Sequence, residues 1–493
     1  MNVLLGLPLA VPLLGAALSM VVRRLWAQRA ISFVALAIAV GSSLAVLLRV
    51  ITTDEIVVSR LGGWPAAVAI TLVGDRLAAV MLVIATSVLA VVLVFAIGQR
   101  AVDERSPYYH PTYLVLSAGV AQAFLSGDLF NLFVAFELLL MASYVLLTLE
   151  GTDAQVRSGT TYVVLNIVES LVLLTAVGLV FAATGTVSMA ELPARLADLP
   201  DGVRTGLNLL LLVAFGIKAA VFPLFFWLPD SYPTAPSSVT AVFAGLLTKV
   251  GVYALIRTEM LLFPGGQSTL LLWIACLTMI VGVLGAISHS DMKRILSFHI
   301  VSQIGYMVLG IALGTQAAIA ATVLFLVHQI PVKTSLFLVQ GIVERETGAS
   351  AFSDVGGMAR RSGALAALFM LPALSLAGLP PFSGFIGKFA LVRAGFDDDQ
   401  YVVVGIALLG SLLTLVSMTK IWIGVFWGDV QPVVPEGRVG VLRHHRLMSA
   451  ATIVVVGSTL AIAAFAGPLY SFCVGAAAQL VDPSQYIEAV LGS

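Results

Sequence analysis

Long runs of apolar residues, separated by short polar stretches, occupy almost all of this 493-residue chain. A helix that crosses a bilayer needs roughly 20 mostly apolar residues, and the pattern predicts about fourteen such helices. We therefore expect an all-α polytopic membrane protein. The predicted spans cover residues 2–22, 29–50, 74–98, 111–126, 128–149, 157–183, 205–229, 236–258, 270–288, 294–313, 317–343, 363–395, 402–428 and 447–479.

Residues 51–73 interrupt this pattern, because short apolar and polar stretches alternate there around Gly62 and Gly63. Alternation of this kind next to glycines is typical of a β-hairpin. The sequence therefore predicts a small extramembrane hairpin between the second and third helices.

The composition agrees with a membrane protein that has little mass outside the bilayer. Hydrophobic residues make up 59% of the chain, charged residues make up 11%, and the mean hydropathy is +1.04. The net charge is zero, which gives no indication of nucleic-acid binding. We find no phosphate-binding loop, metal-ligand cluster or nucleophile motif, so we expect neither catalysis nor a cofactor.

Lysine and arginine residues in the predicted loops indicate the orientation in the membrane. If the N-terminus lies outside, the cytoplasmic loops hold 14 of these residues and the outer loops hold 7. Cytoplasmic loops usually carry the excess, so we expect the N-terminus outside. An even number of helices then places the C-terminus outside as well.

Several charged residues lie inside the apolar runs, where each costs at least ~2.5–3.5 kcal/mol on insertion scales. Residues of this kind usually mark an ion or proton path. Burial disfavours the charged form of an amine and a nearby carboxylate favours it, so such lysines can exchange protons near neutral pH. The acid is Glu137, and the lysines are Lys218, Lys249, Lys333, Lys388 and Lys420.

For Lys420, and for two further residues in the apolar runs, a purely structural role is as consistent with the sequence. Lys420 lies toward the inner end of its helix, so its amine can reach the membrane surface. Glu169 is equally consistent with a polar contact between helices, and His299 with a packing role.

Prolines interrupt two of the apolar segments. Pro223 follows Lys218 by five residues, and Pro380 and Pro381 precede Lys388. Proline removes a backbone donor and breaks the helix, and the freed carbonyls need protein or water as partners. Broken helices at corresponding positions of two halves are typical of inverted repeats with a site at the membrane midplane.

We therefore predict two inverted five-helix repeats, each with one broken helix. The predicted divisions are residues 1–110 with helices 1–3 and the hairpin, 111–260 with helices 4–8, 261–430 with helices 9–13, and 431–493 with helix 14.

Four blocks of sequence resemble the antiporter-like membrane subunits that occur in respiratory complex I and in the multi-subunit Mrp cation/proton antiporters. The resemblance runs from about residue 70 to residue 430, and the aromatic stretch KIWIGVFWG at 420–428 is most similar to the D-type subunits of the Mrp branch. The blocks are GDLFNLFVAFELLLMASYVLL (127–147), FPLFFWLPDSYPTAPSSVTAVFAGLLTKVGVYALIR (222–257), DMKRILSFHIVSQIGYM (291–307) and LAGLPPFSGFIGKF (376–389).

The resemblance implies a role for each buried charge. Glu137 matches the family's glutamate on helix 5, Lys218 the lysine of broken helix 7, and Lys249 the position on helix 8. Lys333 matches a lysine on helix 11, and Lys388 matches the charge of broken helix 12.

The expected proton path runs from Lys218, controlled by Glu137, to Lys249 and on to Lys388. The family often has two histidines on helix 11, whereas this chain has His328 followed by Gln329. Only His328 is therefore expected to take part.

The resemblance also implies partners, namely Mrp subunits of the A, B, C, E, F and G types, Na⁺ and H⁺, and the lipid bilayer of the cell membrane. Two alternatives remain open from the sequence. One is an antiporter-like proton-pumping subunit of a complex I-type NADH:quinone oxidoreductase, and the other is a scaffold subunit that conducts nothing. The sequence does not identify a cation site.

Overall fold

The computed structural model describes residues 3–63, 69–100, 102–428 and 441–492. These residues are mostly helical, and twelve of the helices are long and apolar enough to cross a membrane. The terminal residues 1–2 and 493 lie outside the described ranges. The placement of both termini outside the membrane stays a prediction.

Fourteen helical segments correspond one to one with the predicted spans, which confirms the all-α polytopic fold. They are α1 (Val3–Val21), α2 (Leu25–Thr53), α3 (Arg76–Gln99), α4 (Tyr109–Leu125), α5 (Leu129–Leu147), α6 (Asp153–Thr184), α7 (Asp201–Ala219 and Trp227–Ser231), α8 (Ser237–Leu262), α9 (Ser268–Ser288), α10 (Met292–Leu313), α11 (Gln316–Thr347), α12 (Gly363–Ala377 and Ser383–Asp397), α13 (Tyr401–Trp427) and α14 (Arg446–Ala464 and Ala466–Val481).

The last segment differs from the single helix that the sequence predicts. α14 is interrupted at Phe465, and Pro468 lies in the first turn after the interruption. Because proline has no N–H to donate to the preceding turn, the chain restarts the helix there. A further short helix, Ser484–Leu491, follows α14 and was not predicted.

Two short strands lie where the sequence predicts a hairpin. β1 (Val57–Arg60) pairs antiparallel with β2 (Thr71–Gly74), with Val57 opposite Gly74. Residues 64–68 of the predicted hairpin lie outside the described ranges. Leu72 and Val73 of β2 are buried, so the strand pair packs against the helical bundle.

Three helices form the centre of the bundle. In α8 and α11 every residue of the most apolar stretch is buried, and in α10 nearly every residue is. In contrast, only about a third of the corresponding stretch is buried in α1 and α6, whose exposed faces are apolar. Lipid-facing surfaces are apolar in membrane proteins, so charges on α8 and α11 lie far from both lipid and solvent.

The sets α4–α8 and α9–α13 share local features at matching positions. Asp128 caps the start of α5 and Asp291 caps the start of α10, each by accepting a backbone hydrogen bond from the residue three positions on. Each also forms an isolated β-bridge at the same sequence distance, Asp128 with Ser188 and Asp291 with Ala351. The division into repeats at 111–260 and 261–430 stays a prediction, which these matched features support.

Candidate functional site

The break in α7 lies at the predicted Pro223. Here the backbone N–H of Phe222 donates to Thr278 Oγ1 of α9 at 2.9 Å. The indole of Trp227 donates to the Ile217 carbonyl at 3.0 Å, and the N–H of Val221 donates to the Gly216 carbonyl at 3.1 Å. Two of the last carbonyls of the first part of α7, those of Gly216 and Ile217, thus have uncharged partners.

Lys218 lies one turn before this break and its side chain is buried. Among the described residues its Nζ has no hydrogen-bond partner, and it lies 5.8 Å from the centre of the Phe136 ring. It interacts electrostatically with Glu137 on α5 and Glu169 on α6. Lys218 is therefore one amine facing two carboxyl groups.

The sequence predicts that Glu137 and Lys218 pair, but among the described residues Lys218 Nζ forms no hydrogen bond with Glu137. Glu137 is partly exposed, and its Oε1 has no hydrogen-bond partner in the part of the chain that the structure describes. Glu137 is partly exposed because α5 lies at the edge of the bundle, where Phe130 and Met141 are at least half exposed. The closed Glu137–Lys218 pair stays a prediction.

Glu169 is the acid that sequence reasoning left out of the site. Its side chain is fully buried, and it interacts with both Lys218 and Glu137. In the sequence, Glu169 could be noticed only as a lone acid within an apolar run. That pattern does not show whether the side chain points to the interior of the bundle or to its surface.

Lys249 lies in the middle of α8, next to an irregular turn. Its Nζ donates to the carbonyl of Ala244 at 2.6 Å, within the π-helical segment Phe243–Leu247. A π-turn interrupts the regular i→i+4 ladder and is frequent at functional sites. Among the described residues, the hydrogen-bond partner of this fully buried amine is thus one neutral carbonyl.

A close contact between α7 and α8 brings Lys218 and Lys249 to neighbouring positions. A Cβ on Gly251 would lie 2.5 Å from the backbone nitrogen of Ala219. Glycine at 251 therefore allows the two backbones to touch, one residue from Lys218 and two residues from Lys249.

We expect Gly251→Ala to separate α7 from α8 and to destabilise the protein by at least about 1–3 kcal/mol, as overpacking does. The measurement is the thermal unfolding midpoint in detergent. Gly457→Ala is the matched control, because no atom lies within 4 Å of a Cβ built there. Equal midpoints for the two variants would contradict the contact.

Lys333 continues the series on α11. It is fully buried, and within the described ranges its Nζ has no hydrogen-bond partner. It interacts electrostatically with Lys249 on one side and Lys388 on the other. A Cβ on Gly245 of α8 would lie 2.5 Å from Thr334 Oγ1, so Lys333 also sits at a close helix crossing.

Lys388 lies at the break of α12 that Pro380 and Pro381 predict. Its Nζ donates to the carbonyls of Leu376 (3.0 Å) and Ala377 (3.4 Å) and to Ser411 Oγ (3.1 Å). The C-terminal carbonyls of a helix carry partial negative charge and favour a cation. Lys388 therefore caps the first part of α12. Among the described residues, Lys218 Nζ has no such carbonyl partner at the break of α7.

Two buried histidines belong to the same part of the molecule as Lys333 and Lys388. His328 Nδ1 lies 2.8 Å from Ser383 Oγ, and its Nε2 has no partner among the described residues. His299 on α10 hydrogen-bonds through Nε2 to Ser417. Both interact electrostatically with Lys333 and Lys388. The expectation that only His328 takes part stays a prediction, and His299 lies on α10, which packs beside α11.

Lys420 lies outside this series. Its Nζ donates to the carbonyls of Ile287 (2.8 Å) and His289 (2.6 Å) at the end of α9. It therefore caps a helix, and we use the name lysine row for the four others, Lys218, Lys249, Lys333 and Lys388.

The lysine row connects the broken helix α7 to the broken helix α12 through the centre of the bundle. No group of three or more His, Cys, Asp or Glu side chains suited to a metal ion occurs among the described residues. Buried ionisable groups in a membrane bundle are costly and mark paths for ions or protons. Fold and site together define an ion-translocating polytopic membrane protein.

A family model described as "NADH:quinone oxidoreductase/Mrp antiporter, TM" matches residues 126–414, and the chain belongs to this family. It is 42% identical over its full length to the D-type subunit of the Na(+)/H(+) antiporter of Alkalihalophilus pseudofirmus (strain OF4), and 37% identical to that of Bacillus subtilis (strain 168). In both cases 100% of each chain is covered.

A chain in the solved structure of the Mrp complex from Dietzia sp. DQ12-45-1b has the same fold. The TM-score is 0.93, the sequences are 32% identical, and 100% of each chain is covered. These likenesses confirm the resemblance to D-type Mrp subunits that the sequence blocks indicate.

Proposed function

We propose that the chain is the proton-translocating subunit of a multi-subunit Na⁺/H⁺ antiporter. The observation that carries the proposal is the lysine row, four buried amines that lead from one broken helix to the other. The names of the full-length relatives supply the cation.

Protons would pass along the row by transfer from amine to amine. Like charges in a buried site repel each other, and Lys333 faces an amine on each side. The row therefore favours states in which only some amines are protonated. Arrival of a proton at Lys249 promotes its onward transfer through Lys333 to Lys388, with His328 and His299 beside the last step.

The environments at the two ends of the row differ in a way that gives the transfer a direction. Lys218 faces two carboxyl groups, which stabilise its ammonium form. Among the described residues, the contacts of Lys388 Nζ are with two carbonyls, a hydroxyl and the Tyr306 ring, whose centre is 4.7 Å away. Opening or closing the Glu137 contact would thus control release from Lys218.

We further propose that the chain works in the cell membrane within a complex of A-, B-, C-, E-, F- and G-type Mrp subunits. Both termini are expected outside, and the chain is a transporter subunit that needs no enzyme activity or cofactor of its own. The fully covered antiporter relatives favour this assembly over the redox-driven alternative.

The test uses everted membrane vesicles from a host without its own antiporters. The full set of subunits is expressed with and without this chain, respiration acidifies the lumen, and a pH-sensitive dye is followed on addition of Na⁺. We expect the dye signal to recover only when the chain is present. Recovery without the chain, or flavin, iron–sulfur clusters or quinone reductase activity in the purified complex, would overturn the proposal.

A further inference from the structure

Glu169 lies on α6, a helix that turns much of its surface away from the bundle. Its neighbours Ile167, Val168 and Leu171 are 47%, 47% and 59% exposed, whereas Glu169 is fully buried. An ionised carboxylate in apolar surroundings is costly unless it is paired. The acid in the apolar part of α6 therefore faces the interior for a reason beyond packing.

The charges around Glu169 do not balance. Neither of its carboxyl oxygens has a hydrogen-bond partner in the described part of the chain. It faces Lys218 from α7 and Glu137 from α5, and Tyr144 of α5 interacts with both acids. Two carboxylates and one ammonium leave one negative charge in excess. Because an uncompensated buried charge is strongly destabilising, the cluster has room for one additional proton.

The buried face of α6 is polar on one side of Glu169 and apolar on the other. Between Glu169 and the start of the helix, buried positions recur every three or four residues and so lie on one face; they are Gln155, Gly159, Tyr162 and Asn166. Beyond Glu169 the same face is formed by Leu173, Ala176, Val177 and Val180. On this face of α6, polar side chains therefore lead toward Glu169 from the end next to the α5–α6 loop.

That end of the face reaches the loop through hydrogen bonds. Gln155 Nε2 donates to Glu150 Oε2 and to the Thr234 carbonyl, both at 3.2 Å. Farther along, Tyr162 shares a hydrogen bond of 2.9 Å with Ser143 of α5.

We propose that Glu169 is a second proton-carrying carboxyl of the Lys218 site, and that it exchanges protons with the α5–α6 loop end of α6. In the transfer step the O–H bond of the Glu169 carboxylic acid breaks and an N–H bond forms on the neutral Lys218 amine, and the reverse step returns the proton. The carboxylate and ammonium that result from the forward step stabilise each other. This inference rests on the proposed function, because it names the route of the same proton between Lys218 and the membrane surface.

The experiment measures the initial rate of Na⁺/H⁺ exchange against pH in vesicles that hold all subunits. Glu169→Gln keeps the shape but cannot carry a proton. We expect it to lower the maximal rate by about 10-fold or more and to move the alkaline limb of the pH profile down by about 1 unit, because the ammonium of Lys218 loses a counter-charge. Ser170→Ala is the matched control, since Ser170 is the next residue and is uncharged, and we expect it to keep the wild-type profile.

The outcomes separate this inference from the function on which it rests. No exchange by the wild-type complex overturns both. A Glu169→Gln variant with the wild-type rate and pH profile overturns this inference alone. A raised KM for Na⁺ with an unchanged pH profile also overturns it, because Glu169 would then bind the cation.

Infrared difference spectra after a pH jump provide a second measurement if the glutamine variant does not assemble. They compare the wild-type complex with Glu169→Asp, which keeps a carboxyl group. A protonated-carboxyl band that shifts in the aspartate variant supports the inference, and an identical band in both proteins overturns it.

Discussion

Replacing Lys218 by alanine is expected to reduce Na⁺/H⁺ exchange by about 100-fold, the lower part of the range seen when a proton-transfer group is removed. Lys218 is the amine of the row that faces carboxyl groups, and its Nζ forms no hydrogen bond with the described residues. Its loss therefore interrupts the path without removing a helix cap. The measurement is the initial rate in everted vesicles, with the amount of assembled complex determined in the same membranes.

Two further variants make this result specific. Lys218→Arg keeps the positive charge, but a guanidinium is not deprotonated near neutral pH, so we expect exchange to be lost as well. Lys420→Ala removes a half-buried amine that caps α9, so exchange should remain. Wild-type exchange by the Lys218→Ala complex would instead support the scaffold alternative, and exchange by the arginine variant would show that charge alone is needed.

The lysine row and the two breaks could be read from the sequence because their signals are local. A lysine in an apolar run is conspicuous whatever packs around it, and proline interrupts a helix through its own ring. Both breaks lie at the predicted prolines, Pro223 and Pro380–Pro381.

The partners of these charges could not be read in the same way. Lys388 and Lys420 are both lysines in apolar runs, yet Lys388 is buried at the break of its own helix and Lys420 is half-buried against the end of α9. Glu137 and Glu169 are both acids in apolar runs, and only the packing of α5 and α6 shows that Glu169 is the more buried. Burial and pairing depend on helix rotation and on non-local neighbours, which a single sequence does not specify.

The charges of the site are segregated along the bundle. Both acids lie at the Lys218 end, whereas Lys249, Lys333 and Lys388 are accompanied by histidines, hydroxyls and carbonyls. A cluster of acids beside one amine binds a proton firmly, because the negative charges stabilise it. A series of amines passes a proton on, because neighbouring ammonium groups repel each other. Under the proposed mechanism, this segregation would separate proton exchange at the acids from proton transfer along the amines.

The largest effect on stability is expected at an ion pair far from the row. Arg257 near the end of α8 contacts both carboxylate oxygens of Asp75, at 2.5 and 2.6 Å, and both side chains are buried. Asp75 also caps α3 by accepting the N–H of Ala78 at 2.8 Å. The guanidinium stacks on the rings of Tyr253 and Tyr486. One pair therefore joins α3, α8 and the helix that follows α14.

Arg257→Met is expected to destabilise the protein by about 3–5 kcal/mol, because it leaves the Asp75 carboxylate buried without its partner. Adding Asp75→Asn should restore most of the loss, since asparagine removes the charge and still caps a helix. The measurement is the unfolding midpoint of the purified protein in detergent. Arg294→Met is the control, because its pair with Asp230 is exposed and such pairs contribute about 0–1 kcal/mol. If Arg257→Met lowered the midpoint no more than Arg294→Met does, the buried pair would not hold these helices together.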